Sequence, residues 1–274
     1  MPSLLVVGLL PHESGKTTFA TLLVEEAKER GIDVGVSKPV SSFNVWYQYD
    51  CVVKSIEKRI LIGEDVYKLH EAAKSSDPIE IESPVVSLLL TPDPERVEWK
   101  STAYTSLALP YLILLVRVTG IKRSEHYYVP ENIERTTTTL KKEVEKLVAA
   151  INPRRISLED VERLLLASRK DADECLEYIK QKHEFTVIES YNNAAAPTAG
   201  SVDSDVVVAV APGKAAVFSR SDYRKAIIAL SDLKEPWKVT TEDMLPLLHP
   251  EETIELKPGK TEGVLDLLFT YMEL

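Results

Sequence analysis

The order of residue patterns at the N-terminus is what most narrows the fold of this chain. Leu4-Leu5-Val6-Val7 is a continuous apolar run that stops at Gly8, the pattern of a strand buried on both faces of a parallel sheet. From Lys16 the apolar spacing becomes helical: Phe19, Leu22, Leu23 and Ala27 recur among the helix formers Glu25, Glu26, Lys28, Glu29 and Arg30, and Gly31 marks the end. Residues 32–37 return to a short strand. Strand, loop, helix and strand in that order make a βαβ unit, and such units build sheets with helices on both faces.

The rest of the chain extends the pattern. Strands are expected at residues 185–188 and 205–211, where Val206-Val207-Val208 is strongly β-prone. Helices are expected at 64–74, 131–151, 157–167, 171–183, 221–231 and 261–271. Residues 85–90 and 111–118 read as buried strands, with 126–129 as a hairpin arm. No Gly/Ser-rich linker interrupts the 274 residues, so the expectation is one α/β domain over residues 1–274. Its central sheet is mostly parallel, with helices on both faces and an inserted β and helical segment at 84–184.

Composition excludes several classes. A hydrophobic fraction of 44% rules out a wholly disordered chain, and no apolar run approaches the ~18–20 residues of a membrane span. The net charge of −10 argues against a broad nucleic-acid surface or an anionic-membrane surface. Cys51 and Cys175 form neither a CxxC pair nor a disulfide framework, which fits a reducing cytoplasm. The opening apolar run is short and lacks a basic leader, so it reads as a buried strand rather than a signal peptide. The five histidines lack zinc-binding spacing.

The chemistry is concentrated in Gly8-Leu9-Leu10-Pro11-His12-Glu13-Ser14-Gly15-Lys16-Thr17-Thr18. A phosphate-binding P-loop needs a strand feeding a turn whose backbone N–H groups converge on phosphate at a helix N-terminus. Lysine supplies a point charge, and the next hydroxyl a magnesium ligand. His12, Glu13, Ser14, Gly15, Lys16, Thr17 and Thr18 are therefore the candidate ATP-binding residues, with Thr17 on Mg²⁺. The usual pattern has a glycine five positions before Gly15; here that position is Leu10, and Gly8 lies seven before. The loop is longer or differently wound. His12 and Glu13 either approach the γ-phosphate or an acceptor, or face solvent and shape the turn.

Ser37-Lys38-Pro39-Val40 follows the second strand, and parallel strands present their C-terminal ends to one ligand crevice. With Gly15-Lys16-Thr17 in the first loop and Lys38-Pro39-Val40 after the second strand, the chain resembles the dethiobiotin synthetase family. That family belongs to the ParA/MinD-related branch of P-loop NTPases. The likeness covers the first ~45 residues and extends more loosely to three later strands, a sequence-only match. It implies a Mg²⁺- and ATP-dependent enzyme in which Lys16 contacts phosphates and Lys38 faces the acceptor or the transferred phosphoryl group. A solvated strand-end charge is the alternative for Lys38. The family also implies an unknown small-molecule acceptor and a homodimer.

Magnesium wants hard oxygen ligands. The family places an aspartate downstream of its Lys-Pro-Val segment; Asp65 and Asp50 are the candidates here, with Asp65 preferred because it opens a helix. Glu189, directly after an apolar strand, is the second carboxylate. The family's glycines after that acid are replaced by Ser190-Tyr191-Asn192-Asn193, which weakens identity with the family's diamine substrate. Ala211-Pro212-Gly213-Lys214 either lines a base pocket or is a plain loop. Two other readings stand beside the enzyme. One is a nucleotide-switch ATPase or GTPase acting on a protein partner, although the ParA-type extra lysine and an Asn-Lys-x-Asp guanine motif are both missing. The other is a scaffold that keeps a degenerate loop.

Overall fold

Continuous apolar runs become strands and amphipathic runs become helices in the computed structural model, which describes residues 1–261 and 263–272. The strands are β1 (Ser3–Gly8), β2 (Val34–Ser37), β3 (Val40–Asn44), β4 (Val85–Leu89), β5 (Ile113–Gly120), β6 (Arg123–Tyr128), β7 (Arg154–Arg155), β8 (Phe185–Glu189), β9 (Val206–Ala211), β10 (Lys214–Ser219) and β11 (Glu252–Glu255). The helices are α1 (Lys16–Glu29), α2 (Tyr49–Lys58), α3 (Glu64–Ala73), α4 (Ile79–Glu82), α5 (Ser101–Thr105), α6 (Pro130–Ile133), α7 (Thr138–Ile151), α8 (Asp160–Lys182), α9 (Arg220–Ser231), α10 (Thr241–Met244) and α11 (Val264–Tyr271). The fold is α/β with two mixed sheets.

The chain divides into two compact units, residues 1–40, 65–82 and 172–274 in the first and residues 41–64 and 83–171 in the second. The first holds a sheet in the order β11-β10-β9-β1-β8-β2. Its strands β9, β1, β8 and β2 are parallel, whereas β10 and β11 run antiparallel at one edge. The Ala211–Lys214 segment, read from sequence as a strand-end loop, is the hairpin turn into β10, with Gly213 at φ +82°. Strand β1 is buried on both faces. Leu4 and Val6 pack with Phe19, Leu23, Val187, Val208 and Leu268, while Leu5 and Val7 pack with Ile188, Val207, Phe218, Tyr223 and Met244. Both faces are therefore covered, by α1 and α11 on one and α9 on the other, which is why β1 carries no polar alternation.

The second unit holds the sheet β3-β4-β5-β6-β7, with β4, β5 and β6 antiparallel and β7 parallel to β6. Sequence placed an insertion at 84–184; this unit also takes in residues 41–64 and stops at 171. The reason is packing: Phe43, Val45, Val52 and Leu61 share a core with Val86, Leu88, Leu114 and Leu147. Two helix boundaries also differ from expectation. The helices expected at 157–167 and 171–183 are one helix, α8, which accommodates Ser168 by letting its hydroxyl donate to the Leu165 carbonyl at 2.8 Å. The helix expected at 131–151 is two, since Thr137 caps a new start by accepting from the Leu140 N–H.

Candidate functional site

Parallel register brings the strand-end residues together. Val6 lies beside Glu189, and Ser37 beside Ile188, so Gly8, Lys38 and Glu189 leave β1, β2 and β8 at the same edge. The loop after β1 then turns back. Glu13 has φ +54° and Gly15 φ +88°, and Gly15 starts α1 without any side-chain cap. The first-turn N–H groups of that helix carry partial positive charge and lack a side-chain acceptor from the cap position. The loop folds closely onto the strand end. A Cβ on Gly8 would stand 2.4 Å from Ser14 Oγ and 2.8 Å from Lys16 Nζ, so a side chain there would displace both groups.

A four-charge cluster occupies this edge. Lys38, 2% exposed, donates from Nζ to Glu189 Oε1 at 2.6 Å and to the Ser190 carbonyl at 3.0 Å, and it pairs with Asp65 Oδ2 at 2.9 Å. Thr17 donates its hydroxyl to the same Glu189 Oε1 at 2.7 Å. Glu189 Oε2 is buried and has no hydrogen-bond partner among the described residues. Lys16, also buried, donates to Ser14 Oγ at 3.1 Å. Two lysines face two carboxylates.

Burial and charge act in opposition here. Burial lowers the Lys16 pKa, and the neighbouring Lys38 lowers it further. For Lys38 burial also pulls downward, but Glu189 and Asp65 outweigh it and hold the amine above its ordinary value. Burial would raise Asp65, yet Lys38 keeps that carboxyl below its ordinary value. Glu189 goes the other way: burial lifts it against the pull of Lys38. A fully enclosed carboxylate with one unpartnered oxygen is costly.

Thus Lys16, Thr17, Lys38, Asp65 and Glu189 meet in one place, and Ser14 joins them through Lys16. His12, Glu13, Gly15 and Thr18 are exposed on the loop and the first turn of α1, while Asp50 is exposed in the first turn of α2. Sequence reading missed the grip on the Lys38 main chain, whose N–H donates to the Glu82 carbonyl at 2.7 Å. Glu82 is a buried acid on a short helix, and no periodic pattern marks it. On the other flank of the loop, towards β9, lies a cavity of about 280 Å³. It reaches Gly15 and Thr18 and is walled by Phe19, Leu22, Val210, Pro212, Leu256 and Pro258. Because β1 lies between β9 and β8, the loop separates an apolar pocket from the charged cluster.

Among the described residues no group of three or more histidine, cysteine or acidic side chains is placed to hold a metal ion; gathered with Lys38 are the Thr17 hydroxyl and the carboxylates of Asp65 and Glu189. No protein-family model matches the chain, and no curated protein matches it either.

Proposed function

We propose that the first unit is a P-loop NTPase fold and that the protein is a Mg²⁺-ATP-dependent enzyme similar to the dethiobiotin synthetases. It would hydrolyse ATP or transfer the γ-phosphoryl group to a small acceptor. The observation that carries this reading is the buried Lys38 ammonium, held by Glu189 and Asp65 and sharing a carboxylate oxygen with Thr17. A purely structural lysine gains little from such burial, because desolvation offsets most of the pairing energy.

Each part then has a task. Lys16 and the uncapped amides of α1 hold phosphate oxygens. The nucleoside lies in the apolar cavity, whose ~280 Å³ falls at the small end of ligand pockets and suits a flat base with its sugar. The hydroxyl of Thr17 and the carboxylates of Asp65 and Glu189 suit magnesium, and the unpartnered Glu189 Oε2 is a donor with capacity left for it. Bound there, magnesium would neutralise phosphate charge. Lys38 would meet the acceptor or the moving phosphoryl group, so catalysis rests on positioning and charge stabilisation. Ser190, Asn192 and Asn193, where the resembled family has glycines, point to an acceptor of different shape.

The test is ADP release with and without small carboxylates, amines and carbamates, alongside light scattering with ATP, GTP and inert analogues. The enzyme reading expects at least one acceptor to raise ADP release. An acceptor-independent rate together with nucleotide-driven dimerisation would instead establish the switch.

A further inference from the structure

Lys38 is reached twice from α3, once directly and once through Glu82 of α4. Asp65, in the first turn of α3, meets its ammonium. Farther along α3, His70 Nδ1 lies 2.7 Å from Glu82 Oε2, and the Glu82 carbonyl takes the Lys38 main-chain N–H. Glu82 is wholly buried, whereas the His70 side chain is 23% exposed. Solvent protons therefore reach the histidine but not the acid. The charged and polar groups facing this pair are Glu71 and Asp77 around His70, and Ser75 and Asp77 around Glu82. Asp77 is itself tied to Lys182 and to His183 Nε2. Ile81 packs its side chain on Cys175 and Ile179, while the Glu82 carboxylate is held by His70 and Ser75.

We propose that His70 is a positioning residue which, through Glu82, sets the Lys38 main chain and thereby the place of the Lys38 ammonium. The brace is a statement about the folded chain alone; its effect on catalysis rests on the phosphoryl-transfer reading above. Its sign follows from the local charges. The hydrogen bond to Glu82 raises the His70 pKa above its ordinary 6.5, although burial opposes it, and burial raises that of Glu82. Below the raised histidine value, imidazolium faces carboxylate and the brace is complete. Above it, Glu82 keeps its burial but loses its counter-charge, and the carbonyl that holds Lys38 loosens.

The experiment uses the full chain labelled with ¹⁵N-lysine, the Lys38 amide signal being identified by its loss in Lys38→Arg. In wild type that amide should shift with pH, with a midpoint above 6.5. His70→Asn puts a neutral, non-titrating amide donor where Nδ1 stood, without the counter-charge, and should flatten the response with the signal held near its high-pH position. His70→Leu should displace it at every pH. In turnover, His70→Leu should lower kcat by up to ~10²-fold with KM within about threefold, as misplacement rather than lost binding does. In wild type kcat should decline as His70 loses its proton, whereas His70→Asn should hold kcat near the wild-type high-pH value and lose that dependence. An amide indifferent both to pH and to His70→Leu overturns the brace, even if ATP is turned over normally. A responsive amide in a protein that turns over no ATP leaves the brace standing and removes the phosphoryl-transfer reading.

Discussion

At the scale of single residues, Glu189 carries the greatest electrostatic burden, since one enclosed oxygen takes both Lys38 and Thr17. Glu189→Gln keeps the shape but leaves the buried ammonium with Asp65 as its remaining carboxylate. Breaking a buried pair in this way costs about 3–5 kcal/mol, so a fall of that size in the unfolding free energy from urea titration is expected, with unchanged far-UV circular dichroism. Asp65 gives a pH signature of known sign. Its folded pKa is depressed, so its stabilisation is complete above the ordinary 3.8 and fades as pH falls below it. The stability difference between wild type and Asp65→Asn should therefore shrink below pH 3.8. Lys16, Thr17, Lys38 and Glu189 were legible from sequence because parallel strands deliver their C-terminal ends to one edge. His70 and Glu82 were not, because their meeting depends on the 74–82 segment returning to the end of β2, a contact with no sequence period.

Among the elements, the loop between β1 and α1 departs most from the familiar spacing, and the structure gives the physical reason for its glycine. Gly8 is a strand residue over which Ser14 and the Lys16 ammonium fold. Gly8→Ala should displace the Ser14 hydroxyl and the Lys16 ammonium at an overpacking cost of up to about 1–3 kcal/mol. Because the displaced ammonium is the proposed phosphate contact, tripolyphosphate affinity should fall at least ~10-fold by titration calorimetry, or about 1.4 kcal/mol. Unchanged affinity would mean the loop tolerates a side chain at its hinge. The apolar elements β1, α1, β8 and β9 follow from their residue patterns. β3 and β10 were hidden, β3 by its serines and β10 by a mixed Lys-Ala-Ala-Val-Phe-Ser run, since neighbouring strands rather than intrinsic preference hold them.

For the whole molecule, the division into two units makes the second discontinuous in sequence. A fragment of residues 83–171 would lack Phe43, Val45, Cys51, Val52 and Leu61 from its own core. At about 1.5–3 kcal/mol for each buried side chain, that loss of roughly 8–15 kcal/mol matches the entire stability of a typical domain. The fragment should melt without a cooperative transition by circular dichroism, whereas adding a linked 41–64 segment should restore one. The intact chain is thus the unit in which function must be tested. The most direct measurement is calorimetric titration of Mg·ATP into wild type and Lys16→Ala. Saturable binding by wild type that Lys16→Ala weakens at least ~10-fold is the expected result; equal binding by both proteins, or none by wild type, would contradict the proposed phosphate site.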